Sequence, residues 1–112
     1  MGDRYVITSA TCTHDRTPND ISVLVGDTTL GVTNDTSRLF LNVSEIRHHP
    51  DYDYNMQNNI AVLVLSSHVD LKAYPNIKPV CLPSIETKIG SKYREAVFSG
   101  WGTRGDVSNS IY

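Results

Sequence analysis

The chain reads as an all-β protein, and three observations say so. Its apolar segments are short, they are rich in Val, Ile and Leu, and clusters of Asn, Asp, Gly and Pro separate them with little trace of a helical period. Strands are predicted at Tyr5 to Ser9, Ile21 to Val25, Arg38 to Ile46, Ile60 to Leu65, Lys78 to Leu82 and Glu95 to Ser99.

The first strand holds the apolar pair Val6 and Ile7, and "TCTHDR" after it is the one stretch suited to a short helical turn. "TPND" at 17 to 20 reads as a loop before the second strand, and "GVTNDTS" at 31 to 37 as a loop after it. In "LFLNVSEI" the alternation is clear: Leu39, Leu41 and Val43 share one face, and Phe40, Asn42 and Ser44 share the other. "YDYNMQNN" at 52 to 59 is again a loop. "IAVLVL", Ile60 to Leu65, is an unbroken apolar run of strand length and is read as core.

At 112 residues the chain has the length of one domain, enough to remove roughly 65% of the extended-chain surface on folding. Ten Lys and Arg stand against 12 Asp and Glu for a net charge of -2, and neither sign gathers into a run. No nucleic-acid or anionic membrane partner is expected. "IAVLVL" is too short to cross a bilayer, and "MGDRYV" lacks the apolar region of an export signal.

Cys12 and Cys81 leave three arrangements open: a bridge to each other, bridges to partners outside the chain, or free thiols. Asn34-Asp35-Thr36 and Asn42-Val43-Ser44 are glycosylation sequons, compatible with a secreted protein. On the alternation just described, Asn42 is expected to face solvent, where it can accept a glycan. "HHPDYD", His48 to Asp53, gathers metal-ligand types, but adjacent strand residues point to opposite faces and Pro50 turns the chain, so no metal is expected. Arg104-Gly105-Asp106 is read as a polar surface turn, not an adhesion motif. Trp101, between two glycines, is read as a packing residue.

The order of the motifs resembles the trypsin/chymotrypsin family of serine proteases. "ITSATC" (Ile7 to Cys12) is similar to the family's "LTAAHC", "HPDY" (His49 to Tyr52) to its "HPxY", and "NNIAVLVL" (Asn58 to Leu65) to its "NDIALLKL". "PVCLP" (Pro79 to Pro83) followed by "SGWGT" (Ser99 to Thr103) completes the series. The resemblance implies two antiparallel β-barrels with the catalytic groups between them. It makes residues 1–93 most of the first barrel and 94–112 the start of the second, a domain truncated at both ends: the family's first two strands and its nucleophile motif "GDSGGP" are not in the sequence.

Thr11 stands where that family carries the catalytic histidine, and Asn59 where it carries the orienting aspartate. A serine hydroxyl needs a base that titrates near neutrality, and threonine offers none. Asparagine hydrogen-bonds but carries no charge. His14 is displaced by about one helical turn from Thr11 and is read as a solvent-facing residue at the start of a loop. His49 is taken as a structural residue at a strand end. Some family members hold calcium after the strand that matches Val23 to Gly26; Asp27 would supply one ligand, but Arg38 falls near the expected second, and a cation there repels calcium. No cofactor is expected.

The resemblance also implies that Cys12 and Cys81 have different partners, both outside this chain. The expected function is that of a non-catalytic serine protease homologue which binds a protein partner, secreted as the family is. The alternatives are a fragment of a secreted trypsin-like endopeptidase and a non-functional gene fragment.

Overall fold

The computed structural model describes residues 2–29, 38–53, 55–84, 97 and 99–101. Four strands form one antiparallel sheet: β1 (Tyr5–Thr8), β2 (Ser22–Val25), β3 (Leu39–His48) and β4 (Ala61–Leu65), in the spatial order β1-β4-β3-β2. β2, β3 and β4 are a meander, while β1 crosses over to the far side of β4. Each of these strands falls within a residue or two of its expected position. Short 3-10 turns at Ala10–Cys12 and Pro18–Asp20 complete the regular structure.

Two expectations fare differently. Lys78 to Leu82 forms no strand: Pro79 and Pro83 each lack the N–H that a ladder needs, and Val80 and Leu82 lie exposed. "TPND" is not an irregular loop but a turn closed by its own side chains. The Asp20 carboxylate accepts from the Thr17 N–H at 2.8 Å and from the Thr17 hydroxyl at 2.7 Å. Most of the strand expected at Glu95 to Ser99, and the boundary expected between residues 93 and 94, lie outside the described residues.

β4 sits between β1 and β3 and is covered on both faces, which is why its sequence is apolar without alternation: Ala61, Leu63, Val64 and Leu65 are all buried. β3 keeps the alternation, with Leu41 and Val43 inward and their neighbours exposed. Leu41, Leu65 and Val69 make the centre of the core, and Val6, Val23, Val25, Leu39, Leu71 and Ile77 pack around them. A largely apolar hollow of about 280 Å³ opens beside β1, between Val6 and Leu65 on the sheet and Ile77 and Val80 in the later segment. Among the described residues neither β1 nor β2 has a partner on its outer edge.

The register between β3 and β4 slips by one at Ser44, since Val43 faces Leu65 and Glu45 faces Val64. Ser44 is therefore the extra residue of a β-bulge, and its hydroxyl donates to the Val64 carbonyl 3.1 Å away, replacing the ladder bond lost there. Bulges increase twist. At the other end of the sheet Ala61 pairs with both Thr8 and His48, so three strands finish together.

Three exposed carboxylates titrate below the usual carboxylate range. A hydrogen bond to His68, 2.7 Å away, lowers Asp3. The Thr17 N–H and then its hydroxyl lower Asp20, and the two-pronged Arg47 guanidinium lowers Glu45. In each case the unfolded chain takes up the proton first as pH falls. The stability these contacts contribute is complete above the usual carboxylate range and disappears as pH drops through the lower native values. The urea midpoint is accordingly expected to decline below about pH 4. Neutralising Asp3, Asp20 and Glu45 together, as Asp→Asn and Glu→Gln, should flatten that decline; an unchanged slope would show that other groups cause it.

Candidate functional site

The common end of β1, β4 and β3 positions the site. Residues 9–13 leave β1, residues 49–59 leave β3 and lead into β4, and both segments start from the Thr8, Ala61 and His48 row. Thr11 and Asn59, 48 residues apart in sequence, are thereby brought into contact: the Thr11 N–H donates to Asn59 Oδ1 at 2.8 Å.

The 49–59 segment is shaped by its own side chains. The Asp53 carboxylate accepts from the N–H groups of Asn55 and Gln57, and Asn58 Nδ2 donates to the Asp51 carbonyl. Met56 and Asn58 take left-handed backbone angles, with φ of 69° and 53°. For asparagine this is a tolerated state, while for methionine it is strain held by the loop. The result aims Met56 Sδ at the pair: Asn59 Nδ2 donates to it at 3.3 Å and the Thr11 hydroxyl at 3.5 Å. The Tyr52 hydroxyl lies 3.4 Å from the Thr11 hydroxyl.

Chemically this is a neutral cluster. An amide oxygen holds a backbone N–H, and the two side-chain donors turn to a thioether. None of the four side chains is an imidazole or a carboxylate. Two imidazoles stand close by. His14 meets Tyr52 edge-on at 6.4 Å between centroids, with Nε2 3.0 Å from Asp15 Oδ1. That corrects the expectation of a solvent-facing His14: the edge contact with Tyr52 and the Asp15 carboxylate hold it partly buried against the loop. His48 stacks on the other side of the cluster's tyrosine at 6.4 Å, and its Nε2 lies 2.9 Å from the hydroxyl of buried Thr13. The Thr13 hydroxyl also lies 3.2 Å from the Ala10 carbonyl, to which it can donate.

His49 is turned away from the cluster. Its Nδ1 accepts the Asp51 N–H at 3.1 Å, closing the turn at Pro50. No three His, Cys, Asp or Glu side chains converge as metal ligands among the described residues. Arg38 Nη1 stands 3.8 Å from Asp27 Oδ2, an ion contact longer than a hydrogen bond, and Asp27 is nearly buried. A positive charge thus faces the carboxylate named above as a calcium ligand, and residues 30–37 of that loop lie outside the described residues. Cys12 and Cys81 are exposed, unbridged thiols.

Trp101 is 57% exposed, against the expectation of a packing residue. It borders a shallow depression lined by Leu24, Val25, Gly26 and Ile77 and covers it only in part. Asn34 and Arg104 to Asp106 lie outside the described residues. Tyr52 and Met56 are the members of the cluster that sequence reasoning missed, as it missed Thr13, which contacts His48 beside it. Tyr52 had a signal in "HPDY"; Met56 had none, because its place depends on a left-handed backbone.

The family model named Trypsin matches residues 1–111. The chain belongs to the trypsin family. Among curated proteins it is similar to the inactive serine protease scarface of Drosophila melanogaster, with 30% identity over 104 residues, 91% of this chain and 15% of that protein. It is 32% identical to serine protease 1 of Rattus norvegicus over 112 residues, 99% of this chain and 41% of that one. It is also 34% identical to the inactive CLIP domain-containing serine protease A28 of Anopheles gambiae over 110 residues, 95% of this chain and 27% of that one. This trypsin-family chain therefore spans less than half the length of each of these relatives. Its curled antiparallel sheet is a half-barrel, consistent with part of a trypsin-like β-barrel. The family includes inactive homologues as well as trypsins.

Proposed function

We propose that this chain is part of a non-catalytic serine protease homologue that acts by binding a protein partner outside the cell. The observation that carries the reading is the Thr11–Asn59 contact. Trypsin-type catalysis places an imidazole and a buried carboxylate side by side, so that one takes the serine proton and the other stabilises the imidazolium. Here the backbone N–H of a threonine meets the side-chain amide oxygen of an asparagine at the positions that match that pair, and neither a hydroxyl nor an amide side chain performs its part. His14 and His48 stand at positions other than the one that matches the family's histidine, which Thr11 occupies.

Two relatives whose names mark them inactive support the same reading. Export is supported by the secreted character of trypsin-family homologues. No helix among the described residues is long and apolar enough to cross a membrane. The expected result is that the complete protein hydrolyses peptide amide and ester substrates no faster than a variant whose family nucleophile is replaced by alanine. Turnover above that control would overturn the proposal.

A further inference from the structure

The structure points to a modification site on the outer face of β3. We propose that Asn42 is an N-glycan acceptor and that the exposed ring of Phe40 is the platform on which its first sugar rests. Leu41 and Val43, each 5% exposed, fix the strand's orientation, which turns residues 40, 42 and 44 outward together. Phe40 keeps 62% of its surface in water, so its ring is open to a group carried on the same face of the strand. The Arg38 guanidinium lies over that ring, 5.6 Å from its centroid, and leaves most of it uncovered. Residues i and i+2 of a strand stand side by side on one face, so a sugar on the Asn42 amide reaches the ring two residues before it. A pyranose presents C–H groups on one face, and these suit the negative face of an aromatic ring.

The neighbourhood has room. The residue facing Asn42 on β2 is the exposed Ser22, and the hydrogen bond that Asn42 makes to Ser66 uses its backbone carbonyl, not its side chain. In the transfer step Asn42 Nδ2 bonds to C1 of the reducing-end N-acetylglucosamine of a lipid-pyrophosphate-linked oligosaccharide. The C1–O bond to phosphate breaks, the lipid pyrophosphate leaves, and the amide loses one proton. The sequon's hydroxyl must be free at that moment, whereas in the folded chain Ser44 donates it to the Val64 carbonyl. Transfer therefore precedes folding, and the folded sheet then displays the sugar.

The inference rests on the secretory part of the reading above, so the test supplies the route itself. The chain is expressed in eukaryotic cells behind an added secretory leader and recovered from the medium. Cleavage after Arg38 and Arg47 isolates "LFLNVSEIR", and glycosidase release in heavy-oxygen water converts a glycosylated Asn42 to labelled Asp. Most of that peptide is expected to carry the label, and Asn42→Gln and Ser44→Ala are expected to abolish it. Phe40→Ser should leave the labelled fraction in place, but removing the glycan should lower the urea midpoint of the parent and of Phe40→Tyr more than that of Phe40→Ser. An unlabelled peptide overturns the proposal, including the case in which the peptide of Asn34 is labelled and this one is not. An equal midpoint change on glycan removal in parent and Phe40→Ser overturns the platform. Natural export is read independently, from whether the native protein is found outside its cells.

Discussion

Thr11→His combined with Asn59→Asp, made in the complete protein with the family's second barrel and its serine, is expected to raise peptidase turnover by on the order of 10⁶-fold over the parent. This is the size of the loss when a serine protease loses its histidine. The two positions are already in register. The Thr11 N–H meets the Asn59 side chain at 2.8 Å, and a carboxylate introduced there accepts the same bond. Space for an imidazole comes from Met56, whose side chain is exposed and sits on a loop, so it can yield to a larger neighbour.

Thr11→His alone should reach a level about 10⁴-fold lower than the pair, the magnitude that the aspartate-to-asparagine change has in trypsin-type proteases. Asn59→Asp alone should change nothing measurable, because an orienting group without a base has nothing to orient. Steady-state hydrolysis of a peptide amide by the four proteins checks the order. If the double variant stays at the parent level while the second barrel is folded, the two positions are not the base and its partner.

Leu65→Ala has the largest expected effect on stability, a loss of about 2–5 kcal/mol. Leu65 is 1% exposed, lies on the central strand and touches the Leu41 and Val69 cluster. Small domains retain only about 5–15 kcal/mol in total, so a cavity at this point removes a large share of it. The effect should be pronounced here because the hollow beside β1 already borders Leu65 and the sheet has unpaired outer edges among the described residues. Val80→Ala, at an exposed position of the later segment, should stay within about 0.5 kcal/mol. Urea midpoints of the two variants, compared with the parent, measure the difference; equal losses would mean that Leu65 is not at the centre of the core.

The strands were legible because period and composition carry them. β3 alternates since one face is wet, and β4 does not since both of its faces are covered; each feature is written in its residues. The Thr11–Asn59 contact was legible only through resemblance, as nothing in the spacing of two residues 48 apart brings them together. The parts that were not legible depend on three-dimensional detail. Ser44 becomes a bulge because of how β3 meets β4, and Asp20 closes a turn that composition marks only as a loop. His14 is held by Tyr52, which arrives from another segment. Lys78 to Leu82 has strand composition, but its flanking prolines withhold the donors a ladder needs.

Thr11 and Asn59 supply no base to a serine at the family's nucleophile position. Labelling with a fluorophosphonate probe, which reports an activated serine hydroxyl directly, tests it without assuming a substrate. The parent protein is expected to label no faster than its nucleophile-to-alanine control, and the Thr11→His and Asn59→Asp double variant to label readily. Labelling of the parent that exceeds that control and is abolished by heat denaturation would contradict the account.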